Sequence, residues 1–548
     1  MSDSVLFYLR VGAYMLDNGK IVLFDTTLRD GSQTSGVHFS VEDKIKLSRE
    51  LDNMGFEYIE GGWPGSNPKD VRYFEEMRKV KLKNSKLSSF SSTRLKNTKP
   101  EKDKILAELL RAGTPVFTIF GKAWDLHVKE ALDTSLGENL SMIHSTMGFL
   151  KPRCDEIVYD AEHFFDGFKA NPEYAIQTIK AAVSGGADWI VLADTNGGAL
   201  PEEIRAAFKA ASAAVDKPIG IHTHDDGDLS LANTLAAVEL GAKMVQGTIN
   251  GLGERCGNAN LCSVIPTLSL KMGYETLAPE KIADLTRLSW LVSELSNKPH
   301  QENLPYVGDR AYTHKGGIHV SAVRKNPRLY EHLSPELIGN RRKVPVSDQA
   351  GKSNILLKAS DLGMKIKDTH AKTIVAKVKE LESQGYHFEG ADASFELLSD
   401  VLTGKRREFF RVHGFRVHTW ENDKGEIWSE ATIKVSFPED VADESGNTPT
   451  IEHTVAEGAG PVDAMNKALH KALENFYPLI RDIRLTDFKV RILNEEAGTK
   501  AVTRVLINST DGHLHWGTVG VSQNIIEASW RALVESIEFR LKKYEETL

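Results

Sequence analysis

From Lys20 to about Glu275 one pattern recurs along the chain: a short β-rich run, a polar turn, then a stretch with apolar residues at helical spacing. The runs are Ile21-Val-Leu-Phe24, Phe56-Glu-Tyr-Ile59, Leu87-Ser-Ser-Phe90, Pro115-Val-Phe-Thr-Ile-Phe120, Glu156-Ile-Val-Tyr159, Trp189-Ile-Val-Leu-Ala193, Pro218-Ile-Gly-Ile221 and Met244-Val-Gln-Gly-Thr-Ile249. Eight strand–helix repeats over roughly 250 residues predict a closed (β/α)8 TIM barrel over 20–282, with its chemistry at the carboxyl ends of the strands. The alternative, an open doubly wound sheet, more often carries a Gly-rich phosphate turn after its first strand. Polar residues recur at the predicted phase: Arg29-Asp30-Gly31 after the first strand, Glu60 after the second, Asp160 and Glu162 at the fifth, Asp194-Thr195-Asn196 at the sixth, and Glu254 to Asn258 past the eighth.

Beyond the barrel the pattern changes twice. Over 283–384 the strand signal fades and helical stretches dominate, which reads as a connecting subdomain; its loop Thr313-His-Lys-Gly-Gly-Ile-His319 is too rich in Gly and His for a plain linker. From 385 to 548 alternating strands return, as in Phe410–Val417 and Ala431–Phe437. Two helical stretches there match, Asp463-Ala-Met-Asn-Lys-Ala-Leu469 and Glu527-Ala-Ser-Trp-Arg-Ala-Leu533, so an α+β domain built from a duplicated strands-plus-helix unit is expected. It lacks a catalytic cluster, so sensing or assembly is its expected task. Residues 1–19 read as an N-terminal extension: the apolar stretch Val5 to Leu16 is broken by Arg10 and has no cationic start, unlike a signal peptide.

Composition narrows the function classes. The chain has 548 residues and a net charge of −8, which argues against a nucleic-acid partner. No apolar run is long enough to span a membrane. Three cysteines, Cys154, Cys256 and Cys262, make no CxxC pair, so a reducing, cytoplasmic setting without disulfides is expected.

The strongest chemical signal is Ile219-Gly-Ile-His-Thr-His224. Side chains at i and i+2 of a strand share a face, so His222 and His224 can offer two imidazoles to one ion. Strands one, seven and eight are neighbours in a closed barrel, which lets Asp30 and Asn258 complete a metal shell with open positions for substrate. Arg29, beside that shell, has the planar fork that suits a substrate carboxylate or a developing alkoxide. Glu162 in a pocket is a candidate base, and the Thr195 hydroxyl can cap a helix or hold a carboxylate. Gly351-Lys-Ser353 is not a P-loop, since Val346 stands where its first glycine belongs.

Taken together, Thr27-Leu-Arg-Asp-Gly-Ser-Gln33, His222-Thr-His-Asp-Asp226 and Gly251-Leu-Gly-Glu-Arg-Cys-Gly-Asn258 resemble the metal-dependent acyl-CoA condensing enzymes of the 2-isopropylmalate, homocitrate and citramalate synthase family. The resemblance covers nearly the whole chain. Within it, Glu60-Gly-Gly-Trp-Pro-Gly-Ser-Asn-Pro68, Phe120-Gly-Lys-Ala-Trp-Asp-Leu-His127 and Tyr159-Asp-Ala-Glu-His-Phe-Phe-Asp166 look like the citramalate-forming branch. The resemblance implies metal ligands at Asp30, His222, His224 and Asn258. It implies substrate-holding roles for Arg29, Asp30 and Thr195, and catalytic roles for Arg29 and Glu162. His319 and Tyr330 would be catalytic residues lent from the connecting subdomain of a partner subunit.

The resemblance further implies a homodimer that condenses acetyl-CoA with pyruvate and water to (R)-citramalate and CoA, the first step of a threonine-independent route to isoleucine. Isoleucine would act as feedback inhibitor on the C-terminal domain. The metal is open among Zn²⁺, Mn²⁺, Mg²⁺ and Co²⁺, and the first proton acceptor among Glu162, His319 and Tyr330. The rivals are a 2-isopropylmalate synthase using 2-oxoisovalerate, an acyl-CoA lyase, and a non-catalytic amino-acid sensor.

Overall fold

Runs of large apolar residues with both faces buried need partners on either side, and a closed parallel barrel supplies them. In the computed structural model, which describes residues 19–346, 351–421, 423–443, 446 and 451–547, eight strands close such a barrel. They are β1 (Val22–Asp25), β2 (Tyr58–Glu60), β3 (Lys86–Ser92), β4 (Val116–Lys122), β5 (Glu156–Glu162), β6 (Trp189–Asp194), β7 (Ile219–Thr223) and β8 (Met244–Gly247). Closure is made by β1 against β8, from Val22↔Met244 to Asp25↔Gly247. The expected extension falls, for residues 1–18, outside the described residues.

The intervening helices follow local signals. Helix Val41–Met54 starts at a Ser40–Asp43 capping box and stops at Gly55, whose φ of 96° is left-handed. Its Leu47, Leu51 and Met54 share one face and are wholly buried, each contributing about 1.5–3 kcal/mol on burial. The eighth strand ends at Gly247, two residues before the expected Ile249. The returning segment crosses there, so close that a Cβ on Gly247 would lie 2.5 Å from the Ala259 carbonyl oxygen, and Asn250 turns the chain at φ 63°.

Two compact units form. One holds the barrel, continues to Tyr312 and takes up Leu333–Arg342; the other comprises Thr313–His332 and the chain from Lys343 onward. In the second unit the Gly- and His-rich segment leads into helix Gly317–Lys325, followed by helices Lys352–Asp361, Asp368–Ser383 and Asp392–Thr403. Then come two three-stranded antiparallel sheets, each followed by a helix. The first has β9 (Arg411–Glu421), β10 (Ile427–Ser436) and β11 (Glu452–Gly458) before helix Pro461–Leu473; the second has β12 (Arg484–Ile492), β13 (Thr503–Thr510) and β14 (His515–Ser522) before helix Ile525–Glu545.

The duplication has a packing basis. In each half the last strand presents a glycine to the first alanine of the helix. A Cβ on Gly458 would meet the Ala464 nitrogen at 2.4 Å, and one on Gly520 the Ala528 carbonyl oxygen at 1.9 Å. The Ala464/Ala468/Leu469 and Ala528/Ala532/Leu533 sets are buried against these sheets. A separate core joins Ile355, Ile374, Val378, Phe388 and Phe395 to Val519 and Val521 of β14.

Candidate active site

Asp30 follows β1, His222 lies on β7, His224 follows β7, and Asn258 follows β8; all four are buried. The barrel brings three of their ligand atoms to one point. His222 Nε2 lies 3.3 Å from His224 Nε2 and 3.4 Å from Asp30 Oδ2, and His224 Nε2 lies 3.9 Å from Asp30 Oδ2. A cation with bonds of about 2.1 Å spaces its donors about 3.0–3.4 Å apart, from octahedral to tetrahedral. Among the described residues this is the one group of three or more His, Cys, Asp or Glu with that convergence. Asn258, drawn in by its backbone bridge to His224, has both amide atoms buried without a hydrogen-bond partner. An orphaned amide beside a carboxylate and two imidazoles is what a ligand set looks like, since buried polar groups are otherwise satisfied.

Electrostatics prepare the same set. Burial pushes both imidazoles down, His224 to about 4, so both keep free lone pairs at neutral pH. Burial pushes Asp30 up, but Arg29, His222 and His224 outweigh it and hold the carboxyl below its usual range. His222 is aimed by a residue that nothing in the sequence pattern singles out. Gln246 is its register partner on β8, and the Gln246 Oε1 lies 2.9 Å from His222 Nδ1. Gln246 Nε2 in turn donates to Asp160 Oδ1 at 3.1 Å. An imidazole that donates from Nδ1 presents the lone pair of Nε2 to the site.

Arg29 sits beside this centre as expected, and it is tightly held. Its Nε donates to Glu60 Oε2 at 2.6 Å, its guanidinium lies 3.3 Å from Asp30 Oδ2, and the plane rests 3.8 Å over the Phe90 ring. Glu60, wholly buried, is marked in the sequence as a strand-end acid, but its grip on Arg29 is visible only in the fold. Burial, then the neighbouring Glu60, pushes Asp160 well above the usual carboxylate range. Glu162, the candidate base, is ion-paired with Lys122, its register partner on β4. Thr195, past β6, accepts the backbone N–H of His163 at 2.8 Å, which leaves its own proton to donate.

Family models match in series along the chain: "HMGL-like" over residues 20–289, "Homocitrate synthase post-HMGL domain-like" over 306–386, and "LeuA allosteric (dimerisation) domain" over 389–541. The (R)-citramalate synthase of Aquifex aeolicus is 52% identical over 531 residues, spanning 96% of this chain and 99% of the relative. The chain belongs to the (R)-citramalate synthase family. The Geobacter sulfurreducens member is 50% identical, over 96% of this chain and 98% of its own. The 2-isopropylmalate synthase of Methanocaldococcus jannaschii, aligned over 96% of each chain, is 29% identical.

The two residues that the citramalate synthase resemblance places outside the barrel lie in the second unit. His319 is in the first turn of helix Gly317–Lys325, and Tyr330 follows that helix. Their rings stack, with centroids 4.2 Å apart and planes 27° from parallel, and Tyr330 is 45% exposed. They therefore form one aromatic pair open to whatever approaches this face. No described helix is long and apolar enough to cross a membrane.

Proposed function

We propose that this chain condenses acetyl-CoA with pyruvate and water to (R)-citramalate and CoA. The observation that carries the reading is the convergence of Asp30, His222 and His224 with the unpartnered amide of Asn258, in a chain half identical to (R)-citramalate synthases over nearly its whole length. These four residues would hold a divalent cation, for which Zn²⁺, Mn²⁺, Mg²⁺ and Co²⁺ all suit two nitrogens and two oxygens. That cation supplies Lewis acidity, polarising the ketone of the 2-oxo acid.

The chain's own residues do the rest. Asp30 and Glu60 flank the Arg29 guanidinium, and burial pushes the nearby Asp160 carboxyl well above the usual carboxylate range. Arg29, fixed by Glu60 and Phe90, takes the negative charge that develops on the ketone oxygen, the point where fixed donors help most. Thr195 offers its hydroxyl proton to the substrate carboxylate. A base among Glu162, His319 and Tyr330 removes a proton from the acetyl methyl, whose carbon bonds to C2 of pyruvate. Water then cleaves the thioester and releases CoA. His319 and Tyr330 would come from the partner subunit of a homodimer, and isoleucine would inhibit through residues 385–548, a reading supported by the family model matched there.

The test is thiol release from acetyl-CoA with a panel of 2-oxo acids. Pyruvate should support turnover that EDTA abolishes; equal or better turnover with 2-oxoisovalerate would overturn the substrate. His222→Ala should lose bound metal, and an undiminished metal content would refute the ligand set. Elemental analysis of purified protein identifies the ion, and sedimentation analysis with isoleucine titration tests the dimer and its effector.

A further inference from the structure

The segment Gly251-Leu-Gly-Glu-Arg-Cys-Gly-Asn258 would supply one ligand, and the roles proposed above leave its arginine unassigned. Arg255 is bound along one edge of its guanidinium. Its Nε donates to Asp226 Oδ1 at 2.8 Å and its NH2 to Asp226 Oδ2 at 2.9 Å, while the same NH2 donates to the Thr195 carbonyl at 2.6 Å. Asp226 lies two residues past His224, Thr195 follows β6, and Arg255 precedes Asn258 by three residues. One side chain therefore ties together the loops that leave β6, β7 and β8.

The backbone beneath it is fitted to the same purpose. Asp225 N–H donates to the Gly257 carbonyl at 3.0 Å, and His224 bridges Asn258. On the far side of Asp226, a Cβ on Gly197 would stand 2.4 Å from its Oδ2, so the carboxylate is wedged between Gly197 and Arg255. Arg255 itself has a φ of 55°, left-handed, where a residue with a Cβ is strained. A glycine would suit that backbone better. The side chain is what the strain is held for.

We propose that Arg255 is a positioning residue that fixes the spacing between His224 and Asn258, and thereby sets the affinity of the site for its divalent cation. The inference rests on the reading that these residues are ligands. A planar fork satisfied on both tines fixes an angle as well as a distance, which a point charge does not.

The test uses the full chain, stripped with EDTA and titrated with Zn²⁺ or Mn²⁺ in competition with a chromophoric chelator. Loss of an orienting partner lowers metal affinity about 10–100-fold, and this is expected for Arg255→Gly and Asp226→Asn. The double variant should lose no more than either single one, because the two side chains act as a unit. The denaturation midpoint of Arg255→Gly should hold or rise, since glycine relieves the left-handed strain. Wild-type affinity in Arg255→Gly, with metal lost in His222→Ala, would overturn the positioning role alone. A midpoint of the EDTA-stripped protein that falls in step with affinity would make Arg255 a structural residue and also overturn it. Metal retained in His222→Ala would overturn the underlying ligand set.

Discussion

Replacing Gln246 by leucine removes no proposed ligand, yet it should cripple the site. Leucine fills similar space in β8 but leaves His222 Nδ1 without its acceptor at 2.9 Å and Asp160 without its donor at 3.1 Å. Gln246 and His222 are buried at 0% and 6% exposure, so water does not replace what is lost. Each buried polar group left unpaired costs about 1–3 kcal/mol, giving a loss of about 2–6 kcal/mol in the metal-free protein. The metal-loaded protein should lose more, because an imidazole free to change tautomer binds a cation about 10–100-fold more weakly, or about 1–3 kcal/mol. Urea unfolding of EDTA-treated and metal-loaded protein measures both quantities, and chelator competition gives the affinity directly. Gln246→Leu with wild-type metal affinity would refute the orienting role, whatever its stability.

Arg29→Lys keeps a charge but loses the fork that spans Glu60 and Asp30, so kcat/KM for pyruvate should fall about 10²–10³-fold; near-normal turnover would remove Arg29 from the charge-bearing role. His224, driven to about 4 by burial and by His222, favours its neutral form in the fold. From the unfolded value of 6.5 down to about 4 the unfolded chain binds the extra proton, so metal-free stability should fall with pH by about 3 kcal/mol across that window. The difference between wild type and His224→Gln in urea melts at pH 7 and about pH 4.5 isolates this effect, and parallel pH profiles would contradict it. A chain cut after Gly385 strips Phe388, Phe395, Val519 and Val521 from Ile355, Ile374 and Val378, exposing a core worth on the order of 5 kcal/mol. Dye binding and aggregation are expected; a monodisperse, cooperatively folding truncate would contradict the shared core.

The barrel is legible because most of its strands are apolar runs bounded by polar turn residues, a trace that parallel strands buried on both faces leave in a sequence; serine-rich β3 is the weakest of them. The same alternation puts Arg29, Asp30, Glu162, Thr195, His222 and His224 at strand ends, where the structure has them. Gln246 escapes notice because a neutral amide within Met244-Val-Gln-Gly247 has no charge or spacing to mark it. Its only trace is a polar residue in an otherwise buried strand. The end of β8 is hard to place because Thr248 and Ile249 look like strand, while the decisive contact at Gly247 comes from Ala259, which sequence proximity does not reveal. His319 and Tyr330 are found through resemblance alone, since no periodicity pairs an exposed tyrosine with a histidine eleven residues earlier; in the fold they stack.

The core that packs Val519 and Val521 against Ile355 bears on the proposed regulation. Helix Lys352–Asp361 is pinned by Asn354, whose amide donates to the Lys315 carbonyl at 3.1 Å, and two residues later begins the turn that carries His319. Val519 and Val521 of the final strand, Ile355, and through Asn354 the segment just ahead of His319 thus stand in one packed series. If an end product grips those sheets and His319 handles the proton as proposed, inhibition would read out as slower turnover and not as a weaker hold on pyruvate.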